Sequence, residues 1–298
     1  EQWETQTFKG TSFDVGGNST MIARNDINMV GTTVEGDGDI PLNAGNDVKI
    51  TAGINLDSYS KEKSGEGIAT TNSQQKGHIK QTAVGSNLTA GGNLTIDSEG
   101  GDVSILGSTL RAEENLLLGD MKIQRDENGV PIVDENGQYI TEDGESIANL
   151  TIGSVELTDE EWNEKQSGLK GPLKKLAQVA AFTLSSMGVT QQLQALGIDT
   201  EVTVSRSESE RIEKTHHASS STTAGGKLVA MIDGHLQVDG SELGGDVGGL
   251  LQSDSASYDA PVNTTHTVTA RREDTVSPDA HKLTNAESTV ATLTTPDT

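Results

Sequence analysis

The chain has 298 residues, a formal charge of −24, 32% hydrophobic residues and only 3% aromatics. That length allows one or two domains, but the apolar fraction is too small for an ordinary globular core of this size. The acidity excludes a nucleic-acid partner, whose phosphates it would repel, and the absence of cysteine excludes disulfides and thiolate chemistry and weakens any zinc reading.

The first residues, EQWETQ, have no Met, no basic region and no apolar run. They read as the interior of a longer chain, so the missing leader says nothing about export. A short unit then begins to recur, a polar residue followed by apolar-x-apolar. It appears at Asp26-Ile27-Asn28-Met29, Asp39-Ile40-Pro41-Leu42 and Asp47-Val48-Lys49-Ile50. Alternate apolar residues face one side of an extended segment. The GDGDIPLN stretch at 36–43 offers a single glycine-aspartate copy, too little for a calcium-binding tandem repeat, and reads as a tight corner.

Residues 57–84 break the pattern with a polar run rich in Ser, Thr, Lys and Gln, readable as an extended hairpin or as a loop. The unit returns at Asn93-Leu94-Thr95-Ile96, Asp102-Val103-Ser104-Ile105 and Asn115-Leu116-Leu117-Leu118, with Gly91-Gly92 and Gly100-Gly101 at its corners. Alternate units lie 21 residues apart (Asp26 to Asp47) or 22 apart (Asn93 to Asn115). A second mark keeps the same period: Gly85-Ser86-Asn87-Leu88 precedes Gly107-Ser108-Thr109-Leu110 by 22 residues, with looser copies at Gly31-Thr32 and Gly240-Ser241. Several short strands in a period near 21 mark a solenoid whose coils stack about 4.8 Å apart in parallel. A sandwich of short strands would not hold one polar corner at a fixed period.

From Met121 to Leu196 the pattern lapses. Two Asn-Gly turns, at Asn128-Gly129 and Asn136-Gly137, predict a three-stranded meander, with calcium binding by their carboxylates as the sharper alternative. Thr158-Asp159-Glu160-Glu161 has the form of a capping box and predicts a helix ending at Gly168. Pro172 opens a second predicted helix with Leu173, Leu176, Val179 and Phe182 mostly on one face. That helix is too short to cross a bilayer. Lys170, Lys174 and Lys175 precede its uncharged run, so this face would either pack internally or meet a membrane or receptor.

Residues 199–223 repeat the polar character of 57–84, with Val202 and Val204 as a short apolar edge. The unit then resumes at Lys227-Leu228-Val229-Ala230 and His235-Leu236-Gln237-Val238, ahead of a polar C-terminal segment. Taken together, the fold expected is all-β: a right-handed parallel β-helix with flanking hairpins and a small α/β insertion. Its parts are 1–120 (coils, with the polar hairpin), 121–198 (insertion, a meander then two or three helices) and 199–298 (returning coils and flanking strands).

No catalytic constellation, cofactor motif or metal-ligand spacing emerges. His216 and His217 are adjacent and would face opposite sides of a strand, and Asn149-Leu150-Thr151 is one of several chance glycosylation sequons. A carbohydrate-active β-helix enzyme is the alternative class, but eight aromatics leave little for a sugar cleft.

The stretch AVGSNLTAGGNLTIDSEGGDVSILGSTLRAEENLLLG, with INLDSYSKEKSGEG and THHASSSTTAGGKL, resembles the haemagglutinin repeats of filamentous haemagglutinin. It is most similar to the second repeat region of contact-dependent growth inhibition effectors, over roughly residues 17–120 and 224–252. That resemblance implies a stalk or delivery module, secreted or held at the bacterial cell surface. Its partners would be an outer-membrane two-partner-secretion transporter during export and then the target cell's outer membrane or a surface receptor. It supplies no catalytic residues.

The stacked-coil reading makes Ile96 an interior residue. Ile96→Asp should lower stability by several kcal/mol, because an unpaired charge would enter the aliphatic column; an unchanged thermal midpoint would refute the stacking.

Overall fold

The computed structural model describes residues 1–67, 70–119, 147–169, 202–277 and 282–294. Among these residues the regular structure is entirely β, with no helix. Strand β1 (Gln2–Gln6) leads into a first circuit of three short strands, β2 (Ser12–Val15), β3 (Met21–Ala23) and β4 (Ile27–Val30). A second follows as β5 (Thr33–Gly36), β6 (Ile40–Ala44) and β7 (Val48–Thr51). The chain then leaves on two long strands, β8 (Gly53–Glu66) and β9 (Thr70–Val84). It returns for a third circuit, β10 (Asn87–Ala90), β11 (Leu94–Ser98) and β12 (Val103–Leu106), and a fourth, β13 (Thr109–Ala112), β14 (Leu116–Leu118) and β15 (Leu150–Gly153). Two more long strands, β16 (Val155–Leu169) and β17 (Val202–Ala218), precede the fifth circuit, β18 (Ser221–Ala224), β19 (Lys227–Met231) and β20 (His235–Asp239). The sixth is β21 (Glu242–Gly245), β22 (Gly248–Gln252) and β23 (Ser255–Asp259), and β24 (Thr264–Ser277) and β25 (Lys282–Thr294) end the order.

Each circuit gives one strand to each of three six-stranded parallel sheets, an arrangement consistent with a β-helix. Register stacks like on like. Ile40, Leu94, Leu116 and Leu228 form one interior column, and Leu42, Ile96, Leu118 and Ala230 form the next. Val48, Val103, Leu150 and Leu236 form another on the third sheet. All of these side chains are buried. The alternating pattern in the sequence is therefore the interior of the coil, and short aliphatics fill it without large aromatics. One column is broken. Thr222 follows Val34, Leu88 and Leu110, is fully buried, and its Oγ1 has no hydrogen-bond partner.

The polar residue that opens each unit joins its neighbours above and below. The Oδ1 of Asn18 accepts the Asp39 amide at 3.0 Å, Asp39 accepts that of Asn93 at 2.8 Å, Asn93 that of Asn115 at 3.2 Å, and Asn115 that of Lys227 at 3.0 Å. A second corner repeats this from Asp26 to Asp47 to Asp102 and from Asn149 to His235, the two parts being joined by Asn149 Nδ2 donating to Asp102 Oδ1. The short Asp or Asn side chain thus satisfies corner amides that the sheets leave free. Lys49 donates to Asp47 at 2.8 Å and, with the Asp102 amide, holds the Asp47 carboxyl below its ordinary pKa. A lowered carboxylate pKa stabilises the fold above the ordinary value, and that contribution is lost as pH falls through the lowered one.

The third corner carries hydroxyls. Thr32 N–H donates to Ser86 Oγ (3.0 Å), Ser86 to Ser108 (3.2 Å), Ser108 to Ser220 (3.2 Å) and Ser220 to Ser241 (3.1 Å). Each Oγ also donates to a carbonyl ending the third strand of a circuit: Ser86 to Thr51 at 2.8 Å, Ser108 to Leu106 at 3.0 Å, Ser220 to Gly153 at 2.6 Å. The excursions that carry the long strands leave at this corner, and the first two return to it. Where no excursion leaves, the turn is made by Gly31, Gly107 or Gly240 with φ of 53°, 58° and 53°, a left-handed backbone that a Cβ would strain.

The long strands pair antiparallel as one seven-stranded sheet, β1-β8-β9-β16-β17-β24-β25. Excursions occur after the second, fourth and sixth circuits. Two circuits rise about 9.6 Å and two paired strands occupy the same height. Successive hairpins consequently meet edge to edge and form a continuous fringe beside the coils.

Two expectations need correction. The capping-box helix over Thr158–Gly168 is instead strand β16, paired along its length with β17 and, from Glu160 outward, with β9. Asp159 Oδ1 accepts the Gln81 amide (3.0 Å) and the Thr158 amide donates to Gln81 Oε1 (2.8 Å). The polar groups of the expected cap serve the neighbouring strand, and two pairing edges outweigh a local helix signal. Nor is 121–198 a single departure from the coils: Ile147 bridges Ile232 and β15 completes the fourth circuit. The meander with its Asn-Gly turns and the helix from Pro172 lie outside the described residues. The run at 57–84, left open between hairpin and loop, is the hairpin β8/β9, paired from Gly53–Val84 to Glu66–Thr71.

The two kinds of buried hydroxyl should respond with opposite sign. Ser108→Ala strands the Ser86 amide and should cost about 1–3 kcal/mol, whereas Thr222→Val removes an unpaired hydroxyl and should raise stability by about 1 kcal/mol. Paired thermal melts of the two variants check this.

Candidate functional site

The fringe sheet stands apart from the coils. Its strands pack on one another and not on the parallel sheets beyond their roots. Register assigns its two faces, because directly opposed residues in an antiparallel pair point the same way. One row on the first face runs Trp3, Tyr59, His78, Glu161 and Ile212. The next row outward on that face is Lys61, Lys76, Asn163 and Glu210, and the one after is Lys63, Gln74, Lys165, Glu208 and Arg271. On the opposite face the corresponding rows carry Ser60, Gly77 and Trp162, then Glu62, Gln75 and Glu164. The alternation Lys61-Glu62-Lys63 and Glu164-Lys165 thereby places these lysines on one face and Glu62 and Glu164 on the other, while Glu161, Glu208 and Glu210 join the lysine face.

The contacts agree with this assignment. The Trp3 and Tyr59 rings have centroids 4.2 Å apart at a 44° tilt, and Tyr59 and His78 are 5.8 Å apart. Lys61 pairs with Glu1, and Gln74 Nε2 donates to Asn163 Oδ1 at 3.0 Å. Arg206 pairs with Glu208 on the same face. Lys63, Lys76 and Lys165 have no acidic partner among the described residues. Two hollows lie along this face. One of about 380 Å³ is bordered by Tyr59, Lys76, His78, Glu161 and Glu210, and the other, about 580 Å³, by Lys63, Gln74, Lys165, Arg206 and Glu208.

Leu173, Leu176, Val179 and Phe182, the contact face expected from sequence, lie outside the described residues. Sequence reasoning missed the lysine face because its signal is a two-residue charge alternation, which decides nothing until a strand and its register are known. Among the described residues no group of three or more His, Asp or Glu side chains is arranged to hold a metal ion. His217 makes its contacts with Asn263 (3.2 Å) and Glu156 (3.7 Å).

The repeat in the coils is also recognisable by comparison. Residues 1–81 and 67–128 match the haemagglutinin repeat family. The repeat is of the filamentous haemagglutinin type. The two matches span the first three circuits, the β8/β9 hairpin and the fourth circuit as far as β14, and together cover less than half of the chain. No curated protein and no solved structure matches. Proteins with haemagglutinin repeats are typically structural or adhesive and are exported by two-partner-secretion transporters.

Gly77 lies beneath the Trp162 ring and against the Tyr59 carbonyl, where a Cβ would collide with both. Gly77→Ala should therefore displace Trp162 and loosen the fringe, seen as a shift in tryptophan emission and a lower first unfolding midpoint, while the coils keep their β signal. A variant with unaltered emission would show that the ring does not seat there.

Proposed function

We propose that this chain is a right-handed β-helical solenoid serving as a stalk and delivery module of a secreted bacterial adhesin, specifically of a contact-dependent growth inhibition effector. It is exported through an outer-membrane two-partner-secretion transporter and acts at the target cell's outer membrane, where such a module assists passage of a toxin. The observation that carries this reading is the haemagglutinin-repeat match lying on circuits that stack in parallel register. A stack of this kind extends by repetition and has an aliphatic interior that needs neither disulfide nor metal.

Contact with the target is assigned to Leu173, Leu176, Val179 and Phe182. Removing the segment from Thr158 onward would cut out β16, which joins two hairpins of the fringe, so the test must spare it. Replacing these four residues with Ser should leave the far-UV β signal unchanged and reduce binding to target bacteria or to lipopolysaccharide-containing liposomes severalfold, measured by flow cytometry. Binding equal to that of the parent chain would remove this face from the contact.

A further inference from the structure

The fringe carries a combination found nowhere else among the described residues: a contiguous aromatic platform beside unpaired lysines on one face of a sheet. We propose that this face, from Trp3, Tyr59 and His78 outward to Lys76, Lys63 and Lys165, binds an acidic polysaccharide. This goes beyond the stalk reading and does not depend on export or toxin delivery.

Three observations carry it. The first is spacing. Rows on one face of a strand repeat about every 7 Å and neighbouring strands lie about 4.8 Å apart. The lysine cluster therefore begins one row from the aromatic platform, within reach of a carboxylate on a sugar stacked there. Tilted rings at 4.2 Å present a broad apolar surface to the C–H face of a pyranose, and Trp3 is 67% exposed. The second is the acids at the edge. Glu161 and Glu210 border the aromatic hollow, where they can accept hydrogen bonds from sugar hydroxyls. A nucleic-acid strand could also stack and pair with lysines, but it would bring densely spaced phosphates against those two carboxylates.

The third observation answers the objection that a chain of charge −24 repels any polyanion. Lys63 lies ten residues along β8 from Gly53, and Lys165 ten along β16 from Val155. At about 3.3 Å per residue both stand about 33 Å from the coils. The Debye length at 0.1 M salt is about 10 Å. The acidic corners of the coils are screened at that distance, and the ligand meets the local charge. Within the fringe, Glu62 and Glu164 point to the other face, and Glu208, which lies on the lysine face opposite Lys165, is held by Arg206 and Arg271.

The test uses the whole chain and immobilised polygalacturonate, with neutral dextran, polyphosphate and polyuridylate as competitors, in 0.1 M salt. Polygalacturonate should bind and dextran should not compete. Lys63→Gln/Lys76→Gln/Lys165→Gln should weaken binding at least tenfold, while Lys9→Gln/Lys49→Gln/Lys227→Gln, with the same change in net charge, should leave it within twofold. Trp3→Ala should weaken polygalacturonate binding severalfold and leave polyphosphate competition unaltered. Should the triple variant lose its melting transition, the exposed single change Lys165→Gln gives the same reading at about threefold. Absence of polygalacturonate binding, equal loss in the coil control, or polyphosphate or polyuridylate competing as well as the glycan with Trp3→Ala silent would each overturn the proposal.

Discussion

The hydroxyl ladder at the third corner is the interaction on which the rest of the architecture depends. Coils of three short strands need closed circuits, yet this chain leaves its circuits between Thr51 and Ser86 and again between Gly153 and Ser220. In both places a serine Oγ reaches back to the carbonyl where the chain departed, so the backbone on either side of the gap meets as though nothing had been inserted. The same Oγ accepts an amide from the adjacent circuit, which fixes the vertical register. Because closure entropy grows only with the logarithm of loop length, about 0.6 kcal/mol per doubling, a corner clipped this way tolerates excursions of very different size. Interior packing then proceeds through Leu94, Ile96, Val103 and Ile105 irrespective of what has been spliced into the corner.

Closure at one corner also explains why there is a fringe at all. Excursions from different corners would project in different directions and could not pair. Leaving from a single corner every second circuit, they share one direction, and two strands per hairpin match the height of two circuits. Hairpins with little apolar surface, marginal alone, become internal members of a seven-stranded sheet. The pairing energy of the fringe is thus borrowed from the regularity of the coils.

Much of this was legible in the sequence, and the failures have a common cause. The polar-apolar-x-apolar unit and its period of 21 or 22 correspond to stacked strands, since interior columns demand alternation and corners demand Asp or Asn. Gly107-Ser108 and Gly85-Ser86 were visible as register marks, although their hydrogen-bonding role needed coordinates. Asn149-Leu150-Thr151-Ile152 is a perfect copy of the unit, yet the 30 residues that separate it from Leu118 and the charged strand that follows it hid it among sequons. Thr158-Asp159-Glu160-Glu161 deceived for a related reason. Its partners, Gln81 and Ile212, lie 77 and 51 residues away in sequence from Thr158 and Glu161, so the local helix signal had no visible competitor.

Strands polar on both faces are prone to slip, because a shift of one residue exposes no hydrophobic penalty. In the fringe the register is pinned at two places. At the root, the Phe8 ring lies against Gly31 and Gly53, and the Phe8 amide donates to Asn55 Oδ1 at 2.7 Å, which sets β1 and β8 relative to the corner. Farther out, the Trp162 ring fills the place of the side chain that Gly77 lacks, an aromatic covering a glycine on the adjacent strand. A slip of one residue between β9 and β16 would bring Lys76 or His78 under that ring and lose the fit. It would also exchange Lys165 with Glu164 across the faces and break up the lysine cluster. The same glycine-tryptophan contact that specifies pairing therefore specifies which face carries Lys63, Lys76 and Lys165, and the surface chemistry of the fringe follows from its register rather than from its composition.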